Sequence, residues 1–100
     1  MVNQIHTKFD AVIIGGGVGG LSTALWCDEL GLSALLLEER AGLGGQLRWI
    51  YNEIKNYLGR EAKNGSELLD AFLEQIENRN FELRLNARVS GVDLEKKEIS

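Results

Sequence analysis

Phe9-Asp10-Ala11-Val12-Ile13-Ile14-Gly15-Gly16-Gly17-Val18-Gly19-Gly20 is the stretch on which the fold turns. Its first half is an apolar run with a β-branched end, which reads as a strand buried on both faces. The six residues from Gly15 onward suit neither a strand nor a helix interior. Past them, Leu21, Ala24 and Leu25, with Asp28 at the margin, share one face at helical spacing over Leu21–Leu30. Gly31 then stands where a helix end takes the left-handed conformation. Asp28 and Glu29 in that last turn oppose the helix dipole, a small local cost. Ala34-Leu35-Leu36-Leu37, closed by Glu38-Glu39-Arg40, is short enough to be a second buried strand.

Further along, Arg40–Asn64 holds Gly42, Gly44, Gly45 and Gly59 with little periodicity. A connection of that length in a small domain is usually functional or partly structured. Asn64 with Glu67, or Ser66 alone, offers an N-cap. The helix expected over Glu67–Asn78 carries Leu68, Leu69, Phe72, Leu73 and Ile76 on one side. Phe81, Leu83 and Leu85 alternate with Glu82, Arg84 and Asn86, the period of a strand. Ala87–Leu94 reads as a further strand or a bend around Gly91. Lys96-Lys97 reads as a hairpin tip, with Glu98-Ile99-Ser100 beginning the return. The first eight residues, Met1–Lys8, are polar and expected to be a flexible terminus.

Composition narrows the class. One hundred residues contain twelve glycines, no proline and a single cysteine. About 5% proline is ordinary, so proline-rich linkers and collagen-like repeats are excluded. Cys27 alone cannot build a disulfide framework, which fits a reducing, cytoplasmic setting; a buried structural thiol is its expected role. A hydrophobic content of 44% with 26% charged residues describes a globular chain. The net charge of −4 argues against a nucleic-acid partner. No apolar run reaches the roughly 18 residues of a membrane span. One histidine, His6, in the polar tail, and one cysteine give no nucleophile–base constellation and no metal-ligand cluster.

Gly15, Gly17 and Gly20 fit G-x-G-x-x-G between a predicted strand and a predicted helix. The first glycine makes the tight turn, the second lets a pyrophosphate approach bare backbone, and the third lets the helix sit close on the strand. The anion then meets free N–H groups at the positive end of a helix dipole, so no lysine is required. An acid at the end of the second strand would accept from the ribose hydroxyls. Glu38 lies at about the expected ~20 residues past the glycines, with Glu39 as the register alternative. Such an acid disfavours a ribose 2′-phosphate at this site.

With Gly44-Gly45-Gln46-Leu47 and Asn56-Tyr57-Leu58-Gly59 added to Gly15–Gly20, the chain resembles the thioredoxin reductase-like flavoproteins of the pyridine nucleotide-disulfide oxidoreductase superfamily. The resemblance runs from about Phe9 to Leu94. It implies that the turn Gly15, Gly16, Gly17, Val18, Gly19 and Gly20 binds FAD. It also implies that Gly45, Gln46 and Leu47 contact the flavin-side half, that Asn56 approaches the isoalloxazine, and that the backbone at Val89 meets the adenine. Leu58 and Leu43 stand where the family often has proline, and Val18-Gly19 where it often has Pro-Ala. These exchanges loosen the loops without removing a cofactor contact.

The expected architecture is therefore α/β, a Rossmann-like FAD/NAD(P)-binding fold with a parallel sheet in order 3-2-1 and flanking helices, incomplete within these residues. Residues 9–100 form the N-terminal part of an FAD-binding domain. The resemblance implies NAD(P)H as reductant, bound by a domain beyond this stretch, and missing C-terminal domains or a partner subunit. It also leaves open another FAD-dependent branch, monooxygenase or reductase, and a non-catalytic nucleotide-binding subunit. No catalytic residue is expected here, and the hundred residues alone are expected to be inactive, to bind FAD weakly or not at all and to self-associate through the open edge of the first strand. Trp26 and Trp49 are read as packing or interface residues, and Arg48 as a phosphate ligand or a solvated side chain.

Overall fold

The computed structural model describes residues 8–100. His6 and most of the expected flexible terminus lie outside that range. Three parallel strands form the main sheet: β1 (Ala11–Ile14), β2 (Ala34–Leu37) and β3 (Glu82–Arg84), in the spatial order β1-β2-β3. This is the order expected. Helix α1 (Val18–Glu29) connects β1 to β2, and helix α2 (Gly65–Ile76) precedes β3. A separate antiparallel pair, β4 (Val92–Asp93) and β5 (Glu98–Ile99), flanks the Lys96-Lys97 tip.

The register of β1 on β2 runs from Ala11 opposite Ala34 to Ile14 opposite Leu37. Burial is concentrated on the middle strand, where Ala34, Leu35 and Leu36 are all buried. The expectation of two covered faces thus holds for β2 and fails for β1, whose Val12 and Ile14 are 37% and 54% exposed. The reason is position: β1 has one paired neighbour and lies at the edge of the sheet. The core joins Leu21 of α1, Leu36 of β2 and Leu68 and Leu69 of α2, with Ile13 and Phe72 packed against it. Leu36 and Leu68 are fully buried, each contributing roughly 1.5–3 kcal/mol through area removed from water.

Both helices begin earlier than their apolar periodicity indicates. α1 starts at Val18 rather than Leu21, with Gly17 as its N-cap, and α2 at Gly65 rather than Glu67. At the far end of α1, Gly31 takes φ +74°, while the N–H groups of Gly31 and Leu32 donate to Asp28 and Cys27 carbonyls. This is the Schellman arrangement that Gly31 was expected to permit. The unfavourable charge of Asp28 and Glu29 is met by Arg79, just beyond α2, whose Nη1 lies 3.2 and 2.8 Å from their carboxylates.

Asn64 caps α2: its Oδ1 accepts from the Glu67 N–H at 2.9 Å, and Glu67 Oε1 accepts in return from the Lys63 N–H at 3.0 Å. Asn64→Ala should therefore lower stability by about 1 kcal/mol, read as a shift of the urea midpoint at unchanged slope. An unshifted midpoint would show that the cap contributes nothing. The long connection between β2 and α2 is ordered by a 3-10 helix, Gly45–Trp49, and by a bridge between Ile54 and Ala62.

Candidate dinucleotide-binding site

At the carboxyl end of β1 the chain reverses at Gly15, which has φ +105° and donates its N–H to the Leu37 carbonyl at 2.8 Å. A side chain at Gly20 would overlap the Gly15 carbonyl and lie 3.4 Å from Ile13 Cγ2, so the third glycine sets how closely α1 sits on the strand. Over Gly17 the situation is the reverse. Its nearest neighbour for an added Cβ is the Gly45 Cα at 4.0 Å, and Gly19 has nothing within 4 Å. α1 has no side-chain cap, so the N–H groups of Val18, Gly19 and Gly20 are left without intrahelical partners. Uncapped donors, a helix dipole and bare backbone beside them suit a pyrophosphate.

Glu38 directly follows β2 and turns its carboxylate onto this loop. Oε1 accepts from the Gly16 N–H at 2.7 Å, and Oε2 accepts from the Arg40 N–H at 2.8 Å. The side chain is buried, at 8% residue exposure. The Arg40 and Gly16 N–H groups hold the carboxyl below its usual value of 4.5, with burial acting against them and the Arg40 charge adding to them. A carboxylate has about four acceptor positions, so capacity for two hydroxyl donors remains. The lowered value adds stability that is complete above 4.5 and is lost as pH falls through the folded-state value. The urea midpoint of wild type should fall in that acid range more steeply than that of Glu38→Gln; parallel curves would remove this role.

Glu39, the register alternative, points away: it is exposed and faces Arg88 Nε at 3.5 Å. The segment after β3 folds back beside Glu38, with the Asn86 and Ala87 N–H groups donating to the Arg40 and Glu38 carbonyls, each at 2.9 Å. Val89, half-buried, follows two residues later.

The second glycine pair lies against the first. Gly44, at φ +119°, donates its N–H to the Gly16 carbonyl at 2.9 Å, and an added Cβ on Gly45 would lie 3.2 Å from Gly17 Cα. Gln46 is exposed beside this contact, whereas the Leu47 side chain is buried in the core. Asn56 is exposed on the loop beyond the Ile54 bridge and lines a shallow pocket of about 470 Å³ formed by residues 55–61. Arg48 is exposed, as the solvated-side-chain reading expects. Its Nε donates to the Leu43 carbonyl at 2.6 Å and its guanidinium lies over Gly42, bracing the loop. Trp26 and Trp49 are each 60% exposed, which sets aside the core-packing half of their expected role and leaves the interface half open, and Arg40 lies 5.6 Å from the Trp49 ring centroid. Cys27 is a buried free thiol. Among the described residues no helix is long and apolar enough to cross a membrane.

A parallel β-α-β unit with an uncapped helix start and a buried acid at the second strand end defines a nucleotide-binding α/β protein. Residues 13–72 match the family of NAD(P)-binding Rossmann-like domains, and the chain belongs to that family. The flavin-containing amine oxidase of Oncorhynchus mykiss is 32% identical over 93 residues, covering 93% of this chain and 16% of that protein. The ferredoxin–NADP reductase of Limosilactobacillus fermentum is 34% identical over 90 residues, covering 88% of this chain and 27% of that protein. The thioredoxin reductase of Lactococcus lactis superposes with a TM-score of 0.75 at 36% identity, over 86% of this chain and 28% of that one. The likeness to thioredoxin reductase-like flavoproteins read from the motifs is thus met in fold and sequence. The chain spans only 16% to 28% of the length of these three proteins.

Proposed function

We propose that this chain supplies the FAD-binding unit of an NAD(P)H-dependent flavin oxidoreductase. The observation that carries the reading is the Glu38 carboxylate, buried against the Gly16 N–H beside the uncapped start of α1. The N–H groups of Val18–Gly20 would bind the pyrophosphate, and Glu38 would accept from the adenosine ribose hydroxyls. The Val89 backbone would meet the adenine. Gly45 and Gln46, the main chain at Leu47, and Asn56 would lie toward the flavin. FAD, when bound, supplies the hydride and electron chemistry; the residues here bind it and orient it, and none is assigned a proton-transfer step. Further domains of the same protein or a partner subunit would hold NAD(P)H. A cytoplasmic location belongs to the same reading, supported by the free thiol of Cys27.

The test is reconstitution of the full-length protein with FAD, followed by anaerobic addition of NADPH or NADH. Binding with bleaching of the visible flavin band is expected. Failure to take up FAD would contradict the reading. Uptake without bleaching by either nicotinamide would select the second reading, a flavin oxidase branch, which the match to an amine oxidase favours.

A further inference from the structure

Gly16 occupies the variable position between the first two glycines of the turn, yet its peptide is held from both sides by distant residues. Its N–H donates to Glu38 Oε1 at 2.7 Å, across 22 residues, and its carbonyl accepts from the Gly44 N–H at 2.9 Å. An added Cβ there would overlap the Leu43 side chain and lie 3.1 Å from Glu38 Oε1, so the residue is enclosed as well as bonded. The other Glu38 oxygen is fixed by the Arg40 N–H at 2.8 Å, which locks the carboxylate in orientation. The next residue in the chain, Gly17, is the N-cap of α1. The direction of the N–H groups that follow is therefore set through the Gly16 peptide.

We infer that Glu38 and Gly44 are positioning residues for the pyrophosphate subsite, acting through the Gly16 peptide, in addition to any contact Glu38 makes with a ribose. The inference rests on the reading of the turn as a dinucleotide site. A turn clamped in this way is preorganised, so little ordering cost falls on binding. Glu38 links the ribose and pyrophosphate subsites, and Gly44 links the pyrophosphate subsite to the loop assigned to the flavin.

The experiment compares ADP with its dideoxy analogue, which lacks both ribose hydroxyls, on the full-length protein freed of flavin. A residue acting only through the ribose cannot affect the analogue. Glu38→Ala is expected to weaken the analogue about tenfold, the weight of one charge-assisted hydrogen bond. Glu38→Gln, whose carbonyl can still accept from Gly16, should restore it to within about threefold of wild type. The inference is overturned if Glu38→Ala weakens ADP but leaves the analogue unchanged, or if Gln is as poor as Ala. Should Glu38→Ala not fold, amide exchange at Gly16 in the unliganded wild-type protein decides. Strong protection there supports the clamp, and exchange at the rate of an open loop overturns it. If wild type binds neither ADP nor FAD, the nucleotide reading fails, while the exchange measurement still reports separately on the clamp.

Discussion

Gly20→Ala is expected to destabilise the protein by about 3 kcal/mol, the upper range of overpacking costs. Position 20 is helical, within the first turn of α1. In an exposed helix the same exchange stabilises by up to about 1 kcal/mol, because glycine loses the most backbone entropy on folding. Here the sign reverses. The new methyl would overlap the Gly15 carbonyl, and a backbone oxygen cannot rotate away as a side chain can. Relief requires α1 to lift from β1, which opens the contacts of Leu21 and Ile13 with the core. Gly19→Ala serves as the control, since nothing lies within 4 Å of its added Cβ. Urea midpoints of the two variants should move in opposite directions. A stabilised Gly20→Ala would mean that the helix does not sit this close to the strand.

Glu38→Ala should have the second large effect, on binding and stability together. Removing the carboxylate strands the Gly16 and Arg40 N–H groups that it accepts from. A buried donor left unpaired costs about 1–3 kcal/mol. FAD affinity should fall roughly 10–100-fold, the range for losing hydrogen bonds to a charged group. Glu39→Ala, by contrast, removes an exposed carboxylate paired with Arg88, and its FAD affinity should stay within about twofold, since exposed pairs contribute little. Equal loss in both variants would contradict the placement of Glu38, and loss in Glu39→Ala alone would transfer the ribose role to Glu39.

The features legible from residue types were those with local causes. β2 spans the residues expected, Ala34–Leu37, because a helix stop at Gly31 and an acid at Glu38 bound it on both sides. Gly31 and Asn64 act as the stop and cap that their chemistry suggests. Apolar periodicity starts α1 three residues late because Gly19 and Gly20 are poor helix formers, and packing on the strand overrides that preference. β3 pairs over Glu82–Arg84 only, and all three residues are exposed, so the alternation of its sequence is not matched by an alternation in burial. The site divides in the same way. Spacing from the glycines located Glu38, whereas its hold on the Gly16 N–H and the Gly44 contact join residues 22 and 28 apart with no periodic signature. Arg79, which answers Asp28 and Glu29 from about 50 residues away, was hidden for the same reason. Arg48 is exposed, as a charged loop residue is expected to be, but its bond to the Leu43 carbonyl has no signature in the sequence.

The most direct test of a dinucleotide at the start of α1 is a titration of the full-length, flavin-free protein with ADP, followed through selectively isotope-labelled glycine amides. The largest shifts should fall on Gly17, Gly19 and Gly20, with Gly16 also responding and Gly31, Gly59 and Gly91 unmoved. Shifts confined to Gly31 would instead place the nucleotide in the cleft lined by Phe9, Asp28, Ser33 and Asn80, at the opposite end of the strands, and would contradict the account.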